Sequence, residues 1–129
     1  MLLAWLRMSR ARVILGKSGE DLACQELERR GYAIVARRYR RRGGELDIIA
    51  RDGGTTVFVE VKTREGRACG EAAEAVDGAK RRRMAMVALD YLARHHKINS
   101  PCRFDVVAIT VGDGEQRMEV VQNAFTLDW

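Results

Sequence analysis

The chain has 129 residues, 47% of them hydrophobic and 32% charged, with 23 lysines and arginines against 18 acids for a net charge of +5. That describes one domain with enough apolar material for a core, and it excludes both a disordered chain and a pair of domains. No apolar run approaches the roughly 20 residues of a bilayer span, and three scattered cysteines without paired spacing argue against a disulfide framework or a zinc site. Reduced thiols in the cytoplasm, away from any membrane, are the expectation.

Residues 1–15 open MLLAWLRMSRARV, too short an apolar run for a secretory leader. They read as an extension or a short helix, and residues 16–129 as the single domain. Ser18 begins the first clear helix, with Asp21 three residues on in a box-like start, and Gly31 closes it after Arg30. Ala23, Cys24 and Leu27 form its apolar stripe, which Glu20 shares. Glu20 is equally readable as a first-turn acid favoured by the helix dipole. A strand follows from Tyr32 to Tyr39, with Tyr32, Ile34 and Val35 as its core candidates.

Next come two strands, Gly44–Arg51 and Thr55–Thr63, joined by the hairpin signal Asp52-Gly53-Gly54. Segment 64–75, rich in glycine and charge, reads as a loop. Asp77 then caps a second helix that runs to about His95 on the stripe Met84, Val87, Ala88, Tyr91 and Leu92. Lys80 and Arg81 oppose the dipole in its first turn, a misfit that an anion bound at the helix start would explain. After Asn99-Ser100-Pro101 come strands Arg103–Val111 and Gln116–Val121, and a tail whose Phe125, Leu127 and Trp129 would cover the sheet. The order α-β-β-β-α-β-β predicts an α/β fold with a mixed sheet flanked by helices.

The central hairpin carries charge where a buried strand should have none. Asp47 interrupts Leu46, Ile48 and Ile49, while Glu60 and Lys62 interrupt Phe58, Val59 and Val61. Ionised groups in apolar strands are costly unless paired or bound to a metal. The period of two puts Glu60 and Lys62 on one face, and Asp47 on the neighbouring strand can meet them. With Glu20 this makes a set of hard oxygen donors that suits Mg²⁺ or Mn²⁺, and Lys62 can serve a bound water or a developing negative charge. Glu45, on the strand face of Asp47, reads as a supporting residue first and a secondary ligand candidate after that. Asp105, also in an apolar strand, reads first as a packing or salt-bridge residue. The plain alternative for Glu60 and Lys62 is an exposed salt bridge, which the apolar residues around them disfavour.

Basic residues cluster twice, in the run Arg37, Arg38, Arg40, Arg41 and Arg42 and in Lys80, Arg81, Arg82 and Arg83. Arginine's planar fork suits phosphate, so a polyanion, nucleic acid in particular, is the implied partner.

Motifs across this set identify a family. Gly19-Glu20-Asp21-x-Ala23, Gly31-Tyr32, Arg42-Gly43-Gly44-Glu45-Leu46-Asp47-Ile48-Ile49 and Phe58-Val59-Glu60-Val61-Lys62-Thr63-Arg64 closely resemble the YraN-like bacterial proteins. Lys80, Arg103-Phe104-Asp105-Val106-Val107 and Asn123-Ala124-Phe125 extend the match over Gly16 to about Phe125. That family is assigned to the restriction-endonuclease-like, PD-(D/E)xK superfamily and is similar to archaeal Holliday-junction resolvases. The resemblance implies a restriction-endonuclease-like mixed sheet flanked by helices and a metal-dependent endonuclease acting on DNA, branched DNA included, rather than RNA. It implies that Asp47 and Glu60 bind the Mg²⁺ or Mn²⁺ ion with the carbonyl of Val61, that Lys62 serves the attacking water, and that Glu20 completes the site. Arg38, Arg40, Arg41, Arg42 and Lys80 to Arg83 would hold the backbone, Arg64 the scissile phosphate, and a homodimer would be the working form. Two other readings stand beside it: a non-catalytic nucleic-acid-binding protein, and a structural dimer whose carboxylates merely pair with Lys62.

Overall fold

The structure, a computed structural model, describes residues 5–7, 17–65, 76–112 and 114–126. Its elements are β1 (Trp5–Arg7), α1 (Lys17–Arg29), β2 (Ala33–Arg41), β3 (Gly44–Asp52), β4 (Thr55–Glu65), α2 (Gly78–Arg94), β5 (Cys102–Gly112) and β6 (Glu115–Phe125). The six strands form one sheet in the order β1-β6-β5-β4-β3-β2. Every neighbouring pair is antiparallel except β4 and β5, which run parallel because the connection containing α2 carries the chain back across the sheet.

The apolar patterning decides which face each helix takes. Ala23, Cys24 and Leu27 of α1 bury against Ile48, Val57, Val59, Val107 and Ile109. Met84, Val87, Ala88, Tyr91 and Leu92 of α2, the stripe expected from spacing, bury against Leu46, Phe58, Phe104 and Val106 on the other face. The central strands β4 and β5 are therefore covered on both sides, which is why they read as nearly continuous apolar runs. Asp77 caps α2, its carboxylate accepting the Lys80 N–H at 2.8 Å. Gly31, at φ 98°, ends α1 in the left-handed conformation glycine supplies. No helix among the described residues is long and apolar enough to cross a membrane.

Four expectations change. The N-terminal stretch read as an extension or helix contributes β1, a three-residue strand on the edge of β6. Val35 is not core: it is 44% exposed, because the β2–β3 register slips between Ile34 and Ala36 and the extra residue of that bulge turns outward. Strand β6 runs on to Phe125, whose ring stacks on Phe104 at 5.0 Å, so Phe125 belongs to the sheet itself. Arg64 lies within β4, not in the loop. Leu127, Trp129, Cys69 and most of the expected loop lie outside the described residues.

Candidate functional site

Strands β3 and β4 are laddered from Asp52↔Thr55 as far as Ile48↔Val59. One rung further on, the Asp47 carboxylate takes the place of a backbone acceptor, receiving the Val61 N–H at 2.7 Å. The strand is irregular here. Leu46 and Ile48, two residues apart, bury in opposite faces, although an even alternation would put them on the same one. Across the β2–β3 ladder, Arg38 falls opposite Asp47 and holds φ 53°, a left-handed conformation that a side chain other than glycine adopts only at a cost. Two adjacent strands thus distort at the rung that carries the acid.

Glu60 comes to the same place from β4. Phe58 on one side of it along the strand and Lys62 on the other share its face, opposite Val106 and Ala108 of β5. Only 3% of Glu60 is exposed. One carboxylate oxygen, Oε2, lies 3.3 Å from Lys80 Nζ on α2, and the other, Oε1, is buried with no hydrogen-bond partner. Burial first, and then the negative charge of Glu60 and a hydrogen bond to it, push the Asp47 carboxyl up to about 7, with the Val61 N–H and Lys80 pulling against them. With both acids ionised, Glu60 Oε1 has no donor; a proton on Asp47 supplies one, and so would a cation. An orphaned buried oxygen beside a second carboxylate fits a hard divalent ion, whose ligands are oxygens of this kind.

The structure does not bring Glu20 into this group. Its Oε1 accepts Arg37 Nε and Nη2 at 3.2 and 3.0 Å and Arg38 Nε at 3.1 Å. Asp21 Oδ1 adds a 2.6 Å bond from Arg37. These four residues line an open cavity of about 360 Å³. Among the described residues no three of His, Cys, Asp and Glu converge as a ligand set, so the centre consists of two carboxylates. The helix stripe places Glu20 on the inward side correctly, and the arginines of β2 claim it there. Glu45 is likewise taken, by Arg40 at 3.1 Å.

Several residues expected on a phosphate surface have protein partners. Arg37 and Arg38 pair with the α1 acids. Arg41 pairs with Asp90 at 3.1 Å and lies over the Tyr39 ring. Arg81 donates to the Val76 carbonyl at 2.8 Å and lies over Phe125, so it fixes the start of α2, and no bound anion is needed to explain it. Lys80 faces Glu60. What remains is a ridge: Arg42, Arg82 and Arg83 are exposed and form no close ion pair among the described residues, although Arg82 and Arg83 lie near enough to Asp77 to favour its charge. The turn through Gly43, at φ 94°, lies flat on α2 there, and a Cβ on Gly44 would sit 3.3 Å from Val87 Cγ2 and 3.5 Å from Arg83 Cβ. Val61 contributes its amide to Asp47, whereas the family resemblance implies a role for its carbonyl alone. Lys80, which the basic cluster assigns to the surface, answers a buried charge instead, and a first turn of α2 without an acid is the signal of it.

A mixed sheet with a helix on each face, in the order α-β-β-β-α-β-β expected from the sequence, makes this an α/β protein. The chain belongs to the uncharacterised protein family UPF0102, the YraN-like family, whose model matches residues 19–109. A UPF0102 protein of Symbiobacterium thermophilum is 53% identical over 112 residues, covering 86% of this chain and 95% of its own length. Relatives in Geobacter sulfurreducens, at 49% over 88% of this chain and 90% of their own, and in Pseudomonas aeruginosa, at 42% over 85% and 90%, bear the same family name.

Proposed function

We propose that this protein is a divalent-metal-dependent endonuclease that hydrolyses phosphodiester bonds in DNA. The observation that carries the reading is the Asp47–Glu60 pair: two carboxylates forced together in a largely apolar setting, one oxygen left without a donor, and Lys62 on the same side of β4. Such a pair costs the fold stability, which an arriving cation would offset. Asp47 and Glu60 would hold Mg²⁺ or Mn²⁺, and the ion when bound polarises a phosphodiester and acidifies a water.

The chain's own groups account for the rest. The Val61 amide holds one oxygen of the Asp47 carboxylate, which would orient the ligand before any ion binds. Lys62 is half-buried two residues beyond Glu60, placed to hold a water or an oxyanion. The Arg42–Arg82–Arg83 ridge would carry the nucleic-acid backbone, with Met86, 60% exposed between them and against Gly43, offering a methyl group to a base. Fewer free arginines than the sequence promised means a modest salt dependence, a log–log slope of roughly −3 for three phosphates on B-DNA.

The test is a cleavage panel of linear, single-stranded, flapped and four-way DNA with Mg²⁺ or Mn²⁺, comparing wild type with Asp47→Ala and Lys62→Ala. Metal-dependent cleavage lost in both variants supports the proposal. Binding without cleavage in every protein would replace it with a non-catalytic nucleic-acid-binding role.

A further inference from the structure

The first turn of α2 contains no acid, and its Lys80 is turned inward to Glu60 Oε2 at 3.3 Å. Positive charge at a helix N-terminus is opposed by the dipole, so helix stability does not explain a lysine here. What the ammonium offsets is the buried Glu60 and, through its field, Asp47. Its hold is partial: the Lys80 side chain is 37% exposed, Glu60 Oε1 stays unpartnered, and the contact is longer than a close ammonium–carboxylate bond. A flexible four-carbon stem with one end in a half-open position can leave without disturbing the helix.

We infer that Lys80 is the resident counter-cation of the carboxylate pair, exchanged for the divalent ion, and that its released ammonium then joins the phosphate-binding ridge. The inference rests on the metal-dependent reading above. A divalent ion on Glu60 repels an ammonium on the same carboxylate. The displaced Lys80 moves outward on the helix that carries Arg82 and Arg83, so binding the metal adds a phosphate contact that the metal-free protein lacks. Metal and nucleic acid are thereby coupled: each favours the state that the other needs.

Calorimetry with Mn²⁺ alone, at about pH 8.5 so that the proton on Asp47 no longer competes, compares wild type with Lys80→Met and Lys80→Gln. Both variants are expected to bind Mn²⁺ about tenfold tighter, the effect of removing one competing charge. Affinity equal to or weaker than wild type in the folded variants overturns the exchange. In a second arm, duplex DNA binding is measured against salt with Ca²⁺ and with a chelator. The wild-type slope should exceed that of Lys80→Met by roughly 0.9 with Ca²⁺ and match it without. A slope difference that is already present in the chelator shows that Lys80 is free at all times and also overturns the proposal. Failure of every protein to bind DNA defeats the nucleic-acid reading and the hand-over to phosphate together, while the calorimetry still decides whether Lys80 is the metal's competitor.

Discussion

Two buried acidic centres sit in this sheet, and in sequence they look alike, since Asp105 and Glu60 each interrupt an apolar strand. Asp105 is completely buried, and its carboxylate accepts the Tyr32 hydroxyl at 2.9 Å, Arg103 Nε at 3.0 Å, Arg103 Nη2 at 3.2 Å and the Asn123 N–H at 2.9 Å. Arg103 reaches on to Asp52 at the end of β3, and Gln122 donates to the Tyr32 oxygen, so the centre ties β3, β5, β6 and the residue before β2 together. The break in β5–β6 register between Phe104 and Val106, with Asn123 at φ 52°, turns that amide toward Asp105. Although burial works against the charge on Arg103, its hydrogen bonds to Asp105 and Asp52 raise its pKa further. At Asp47 and Glu60 the protein supplies one amide and one ammonium, and an oxygen is left over. At Asp105 the donors are complete and the acid is structural; at Glu60 they are one short.

The comparison can be broken from its stable side first. Asp105→Ala removes a completely buried acceptor, leaving the Tyr32 hydroxyl and the Asn123 N–H without their partner and the half-buried Arg103 with Asp52 alone, and should cost about 3–5 kcal/mol in urea unfolding. A loss under about 1 kcal/mol would put Asp105 in the same category as Asp47. Tyr32→Phe removes a hydroxyl that accepts two hydrogen bonds and donates one, and about 1–3 kcal/mol should go with it.

At the other centre the sign should reverse. Asp47→Asn can still accept the Val61 N–H through its amide oxygen, while the repulsion from Glu60 disappears. The variant should be more stable than wild type at about pH 8, by on the order of 1 kcal/mol. The pH dependence follows from the raised Asp47 value. In the unfolded chain this carboxyl loses its proton near pH 4 and in the folded chain near 7, so the folded state is favoured by the bound proton at low pH. Wild type should lose that contribution as pH rises through this window, and the loss should be missing from Asp47→Asn. Parallel pH–stability curves for the two proteins would show that Asp47 is not perturbed.

Much of this was legible in the sequence because it depends on period and turn chemistry. The hairpin at Asp52-Gly53-Gly54, the Asp77 cap and the stripe from Met84 to Leu92 are local patterns, and the structure reproduces them. The meeting of Asp47 with Glu60 follows from hairpin register. What the sequence withheld is partner choice between elements. Nothing in the spacing of Glu20 says that Arg37 and Arg38 lie across from it, nor that a bulge at Val35 and a left-handed Arg38 set how β2 presents them. For the same reason a run of arginines read as a free basic surface proved to be mostly internal pairing, and Lys80, read with them, faces inward.

The central claim is that Asp47 and Glu60 await a divalent cation, and calorimetric titration of Mn²⁺ into the metal-free protein tests it most directly. One ion should bind per chain in wild type at about pH 8, with binding abolished in Asp47→Asn and in Glu60→Gln although both remain folded. A folded wild type that takes up no ion, or variants that bind it as well as wild type does, would contradict the account.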